Sequence, residues 1–195
     1  MTQPTKKTKY HHGNLRQGLI DTALYMLDTH SVGDVSLRKM AKHLGVSQTA
    51  VYSHFKNKTD LLAAIADDGF LKMTDFILGR IKDIKDPYQR VESFAICYMH
   101  FAFKNRTLFQ LMYSREIQDL EEHKTLPLSA GKLYSLFAAA WSRFQSGKMN
   151  QAPFIWSMIH GQTLLMCDPK FGPALSGGKS PQDIAKKSIK IFVEQ

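Results

Sequence analysis

Apolar residues recur every three or four positions along most of this chain, and few stretches alternate with the two-residue period of a half-buried strand. The pattern predicts helices throughout. Leu15, Leu19, Ala23 and Met26 put one apolar face on a first helix from about Asn14 to Thr29. Leu37, Met40 and Leu44 do the same for a short second helix, and Val51 and Phe55, four apart, form the inner face of a third. A fourth helix starts near Asn57, whose side chain can cap it, and carries Leu61, Leu62, Ile65, Phe70, Met73, Phe76 and Ile77 towards Ile84. Gly69 is out of place in its middle, because glycine inside a helix costs about 1 kcal/mol against alanine; it marks a bend or a close approach. Pro87 opens a fifth helix to about Lys104. Further helices are expected over Thr107–Ser114, Pro127–Ser146 and Pro153–Cys167, and a loop rich in Gly and Pro, residues 168–180, leads to a last helix from Pro181. No repeat of solenoid period is present.

Residues 35–58, VSLRKMAKHLGVSQTAVYSHFKNK, carry the most information. Ala41 is small enough for a second helix to approach the first. Gly45 stands where the chain must turn within three or four residues, a place where φ is often positive. Val51 points back from the second helix to fill the corner. Ser36 and Ser47 stand where N-cap hydroxyls are wanted. The outer face that remains is polar: Gln48, Thr49, Ser53 and Lys56, with Tyr52, His54 and Lys58 at the helix exit. Gln pairs bidentately with adenine, and Thr offers a hydroxyl to a base edge or a methyl to thymine. This is a helix-turn-helix with its second helix shaped for a DNA groove. An ordinary helical hairpin would share any one of these residues, but not all of them together.

Several further features bear on function. From Phe94 to Phe103 the fifth helix is apolar on every side except at His100, so it is expected to be buried all round. Phe94, Tyr98 and Phe101 share a face there. Phe109, Met112, Phe137, Trp141, Phe154, Trp156 and Met158 give neighbouring helices the same bulk. Such a set either fills a core or lines an apolar ligand pocket in which Tyr98, His100 and His160 are the placed polar groups. The net charge is +9 and the pI near 9.5, which suits an anionic partner. Residues 1–60 hold nine Lys and Arg against four Asp, a net of +5 over less than a third of the chain. Lys6, Lys7 and Lys9 make residues 1–12 a basic arm. Cys97 and Cys167 sit in apolar contexts and read as buried thiols of a reducing cytoplasm. The N-terminal residues lack the apolar core of a signal peptide. No His, Cys, Asp or Glu cluster has metal-ligand spacing, no nucleophile motif is present, and no cofactor is implied. SGGKS at 176–180 fails as a phosphate loop, because position 173 is Pro and no strand precedes it. Glu121-Glu122 is a surface pair without a role.

The run Gly45, Val46, Ser47, Ala50, Val51, Tyr52, His54, Phe55, Lys58 and Leu61 resembles the end of the DNA-binding domain of the TetR (tetracycline-repressor) family of bacterial regulators. YHHGNLRQGLIDTALYML, residues 10–27, is similar to the first helix of one subgroup, and Trp156 with His160-Gly161 matches the Trp-x3-His-Gly motif often found there. The resemblance covers about residues 10–65. It implies an all-α homodimer with a basic arm over 1–12, a three-helix DNA-binding domain over 13–58, and a helical ligand-binding and dimerisation domain over 59–195. It also implies double-stranded operator DNA as partner, a cytoplasmic site and no membrane. Ser36, Arg38, Ser47, Tyr52, His54 and Lys58 are then the expected phosphate contacts, and Gln48, Thr49 and Tyr52 enter the major groove. Phe94, Tyr98, Phe101, Met112, Trp141, Trp156 and His160 are the expected contacts of a hydrophobic or aromatic ligand that releases the repressor from a palindromic operator. The dimer face falls around Phe154–Met166 and Ile184–Phe192, with Ile184, Ile189, Ile191 and Phe192 as apolar surface. The alternatives are a helical carrier without specific DNA binding and, for want of any acid-base pair, more remotely an enzyme.

Overall fold

The computed structural model describes residues 15–29, 35–117, 123–145 and 151–193. The basic arm and Glu121-Glu122 lie outside the described residues, as does the side chain of Phe192. All regular structure among the described residues is helical. The chain divides into two compact units, Met1–Ile65 and Ala66–Gln195.

The first unit holds α1 (Leu15–Thr29), α2 (Leu37–Leu44), α3 (Gln48–Tyr52) and the start of α4 (Lys58–Ile81). Helix α1 packs on both α2 and α3. Its buried stripe is Leu19, Ile20, Ala23 and Leu27, whereas Leu15 and Met26 are half-buried. The expected stripe is therefore rotated by one residue, about 100°, at its C-terminal end. Leu37, Met40 and Ala41 come in from α2, Val51 from α3, Phe55 from just beyond it, and Leu61, Leu62 and Ile65 from α4. Asn57 caps α4 as expected: its Oδ1 accepts from the Asp60 backbone N–H at 2.8 Å, and Asp60 Oδ2 in turn accepts from the Lys56 N–H at 2.9 Å. The division falls after Ile65, so α4 begins in this unit and continues in the second.

The second unit is built round α5 (Pro87–Lys104), which packs against α6 (Arg106–Met112), α7 (Thr125–Phe144), α8 (Ala152–Cys167) and α10 (Pro181–Val193). Asp86 caps α5, accepting from the Gln89 N–H at 2.7 Å. Phe94, Ala95, Tyr98, Met99 and Ala102 are fully sealed, so the all-round apolar run does become the central helix. His100 is the exception. It is exposed and stacks on Phe76 with ring centroids 5.9 Å apart, so it is not a polar group of the aromatic interior. The Gly/Pro-rich segment is not wholly a loop, since it contains the short helix α9 (Gly172–Ser176) against α8.

Gly69 is explained by close approach. A Cβ built there would lie 2.9 Å from Leu108 Cδ1, 2.9 Å from Met112 Sδ and 3.0 Å from Met112 Cγ. Glycine lets α6 lie directly on α4. Past Ile81 the chain is tied off by Arg90, whose guanidinium donates to the carbonyls of Lys82 at 3.0 Å and Ile84 at 2.7 Å.

Candidate nucleic-acid interface and aromatic cluster

The corner between α2 and α3 is set by local chemistry. Ser36 Oγ accepts from the Lys39 N–H at 3.2 Å, and Ser47 Oγ accepts from the Ala50 N–H at 3.1 Å. Gly45 has φ 68°, in the left-handed region, and the backbone N–H groups of Gly45 and Val46 return to Lys42 and Ala41. Val51 is fully buried and Phe55 is 2% exposed. Phe55 lies beyond the end of α3, but its N–H still bonds to the Val51 carbonyl at 3.1 Å, which keeps it on the inner side. Arg16 from α1 covers the Phe55 ring at 5.4 Å.

With the inner side chains committed to the corner, the polar ones face solvent. Arg38, Ser47, Gln48, Thr49, Tyr52 and His54 are all exposed, and Ser36 and Lys58 are half-buried. Gln48, Thr49 and Tyr52 share one side of α3 by helical spacing. Lys42 is exposed on the same unit and adds a positive charge that the sequence reading did not assign, and Lys56 of the polar face is exposed as well. The arrangement offers amide and hydroxyl groups for base edges, flanked by cations for phosphates.

In the second unit, four of the expected ligand residues come together. Tyr98 has its ring centroid 5.1 Å from Trp156, 6.3 Å from His160 and 6.3 Å from Phe94. Trp141 joins through Phe137, 6.4 Å from the one ring, while Phe137 lies 5.5 Å from Trp156. Phe101 packs on Phe76 instead, and Met112 lies against Gly69. The residue that sequence reasoning missed is Tyr113. Its hydroxyl is 2.9 Å from that of Tyr98, which is also 2.8 Å from His160 Nδ1. Tyr113 sits just past the end of α6, and no local signal in the sequence pairs it with residues 15 and 47 positions away.

Burial dominates the electrostatics here. It pushes the Tyr98 phenol well above its ordinary range, with Tyr113 adding to the effect, and raises Tyr113 to about 12. It also lowers His160, which stays neutral near pH 7. Burial raises the Cys167 thiol to about 11 against the pull of Arg106, and Cys97 moves up in the same way; both cysteines are free and buried. Trp141 Nε1 is buried without a hydrogen-bond partner among the described residues, which costs about 1–3 kcal/mol. Among the described residues no group of three His, Cys, Asp or Glu side chains could hold a metal ion, and no helix is long and apolar enough to cross a membrane.

Comparison with known proteins places these features. Residues 19–65 match the family model described as bacterial regulatory proteins, tetR family. Over 60 residues, 31% of this chain and 28% of the other, the sequence is 40% identical to the HTH-type transcriptional regulator AcrR of Shigella flexneri. The chain spans between about a quarter and a half of the length of the curated relatives it matches, 28% and 51% in two of them. Among solved structures, a protein of unknown function from Rhodococcus sp. RHA1 superposes with TM-score 0.80 at 24% identity, covering 95% of this chain and 96% of that one. The transcriptional regulator FadR from Bacillus subtilis, in complex with stearoyl-CoA, gives TM-score 0.69 at 15% identity over 91% and 97%. The N-terminal domain of this chain is thus similar to that of the tetR family of bacterial regulatory proteins, and the chain as a whole shares the all-helical fold of such regulators.

Proposed function

We propose that this chain is a dimeric transcriptional regulator, a repressor of TetR type, that reads a palindromic operator with α3 and releases it when a small hydrophobic molecule occupies the aromatic cluster of the second unit. The observation that carries the reading is the division of side chains at the corner. Val51 and Phe55 are buried, Gly45 makes the turn, and Gln48, Thr49 and Tyr52 are left exposed between basic residues. Base contacts specify sequence, while phosphate contacts supply position and much of the affinity. Binding to duplex DNA at several salt concentrations tests this. Lys58→Ala is expected to weaken binding to all sequences and to flatten the salt slope by about one phosphate. Gln48→Ala is expected to relax preference at one base position, at ~1–3 kcal/mol of discrimination. Equal loss of specificity from both changes would contradict the assignment, and no salt-dependent binding at all would favour a carrier protein.

The dimer is supported by α8. Phe154 is 73% exposed and Leu165 46% exposed, with Met158 half-buried between them and open space at Gly161, all on one stripe by helical spacing. Ile191 of α10 is exposed too, but Ile184 and Ile189 are buried within the chain and are not free surface. They face inward because α10 packs on α5 as well as α8. Light scattering at micromolar protein is expected to give a dimer mass, and Phe154→Glu with Leu165→Glu a monomer. A wild-type monomer with DNA binding intact would exclude the dimer.

A further inference from the structure

The polar centre of the aromatic cluster restricts what can bind it. A phenol has one proton, so Tyr98 must donate along one of its two hydrogen bonds and accept along the other. If Tyr98 donates to His160 Nδ1, the neutral imidazole carries its proton on Nε2. Tyr113 then spends its proton on Tyr98 and shows only lone pairs outward. If Tyr98 donates to Tyr113, His160 donates from Nδ1 and shows a lone pair at Nε2. Tyr113 then keeps its O–H for an outside partner. In both arrangements the outer edge presents one donor and one acceptor. The two are neighbours, since the Tyr113 and His160 rings are 4.2 Å apart. Neither His160 Nε2 nor the outward side of the Tyr113 hydroxyl has a hydrogen-bond partner among the described residues.

The edge is less deeply buried than its centre. Tyr98 is fully buried, but Tyr113, His160 and Trp156 are half-buried. Trp156 lies parallel to His160, 5° between planes at 6.4 Å, and Phe109 packs at 5.1 Å from Tyr113 and 5.9 Å from His160. An apolar body thus has aromatic surface beside the polar edge.

We propose that this edge anchors the ligand of the second unit, and that the ligand is an uncharged, largely apolar molecule whose one polar group both donates and accepts: a phenol, an alcohol or a primary amide. The inference rests on the reading that this unit binds a small molecule. A hydroxyl or amide satisfies the edge in either arrangement. An ether accepts only, so it leaves one neighbour unpaired. A carboxylate also accepts only, and to be met by two donors it needs Nε2–H and the Tyr113 O–H at once. That requires one more proton, a cationic His160, in a place where burial opposes charge.

Calorimetric titration of the full chain at pH 7.5 with 4-ethylphenol, 4-ethylbenzamide, 4-ethylanisole and the 4-ethylbenzoate anion separates these cases. The phenol and the amide are expected to bind about tenfold more tightly than the anisole and the anion. Tyr113→Phe is expected to bring the phenol down to the anisole while leaving the anisole unchanged, which a merely structural role for Tyr113 would not do. Equal or tighter binding of the anion, equal binding of phenol and anisole, or a loss in Tyr113→Phe that is the same for both would overturn the proposal. If none of the four binds while DNA is still bound, the ligand site itself falls and the DNA reading stands. If the phenol binds as expected without changing DNA affinity, the anchor stands and ligand control of DNA binding falls.

Discussion

Gly69 offers a test of packing in which two known effects oppose each other. Replacing it by alanine removes a helix-interior glycine and so gains about 1 kcal/mol. The new Cβ, however, would meet Leu108 Cδ1 and Met112 Sδ at 2.9 Å and Met112 Cγ at 3.0 Å. All three atoms belong to side chains, so they can yield, but both residues are buried, Leu108 at 7% and Met112 at 5% exposure. Overpacking a buried site costs ~1–3 kcal/mol. Taking about 2 kcal/mol for the clash, the net for Gly69→Ala is a loss of about 1 kcal/mol. In a Met112→Ala background two of the three contacts vanish and Leu108 has room to swing, so the same change should stabilise by about 1 kcal/mol. Met112→Ala alone costs roughly 2–5 kcal/mol, and the cycle predicts a coupling of about 2 kcal/mol. The assay is urea unfolding of the four proteins at one fixed protomer concentration, since self-association would add a concentration-dependent contribution. An effect of Gly69→Ala that is equal in the two backgrounds would refute the close-approach explanation.

Gly45→Ala should cost about 1–2 kcal/mol from backbone alone, because φ is 68° and nothing lies within 4 Å of the added Cβ; denaturation should show Gly45→Asn to be milder. Because burial lowers His160, the unfolded chain takes up the proton first, so stability is complete above pH 6.5 and falls as the pH drops through that value. Melting temperatures between pH 7.5 and 5 should therefore decline less in His160→Gln, and an unchanged decline would count against the buried neutral imidazole. Tyr113 has the opposite sign of pH dependence: it is raised from 10 to about 12, so stability is lost as the pH climbs from 10 towards 12. Phenolate absorbance should show Tyr98 and Tyr113 ionising only as the chain unfolds.

What could be read in the sequence depended on how far apart the partners lie. The caps at Ser36, Ser47 and Asn57, the turn at Gly45 and the plug at Val51 act over three to ten residues, and the structure keeps each of them. The apolar run from Phe94 to Phe103 announced a central helix because a surface helix would have needed a polar face. Its one polar residue, His100, follows Tyr98 by two positions, about 200° round the helix, so it could not share the Tyr98 environment. The Tyr98–Tyr113–His160 chain joins three helical segments through contacts 15 and 62 residues long, to which no spacing rule applies. The same limit misplaced Ile184 and Ile189. Periodicity shows that α10 has an apolar stripe, but not whether α5 or a second chain covers it.

The central claim is that the exposed side of α3 reads a DNA sequence, and selection from a random duplex pool with the full chain tests it most directly. The account predicts an enriched inverted repeat, and with Gln48→Ala a repeat in which preference has flattened at one symmetry-related position in each half while the remaining positions persist. A pool that shows no enriched sequence, or a wild-type repeat left unaltered by Gln48→Ala, Thr49→Ala and Tyr52→Ala alike, would contradict it.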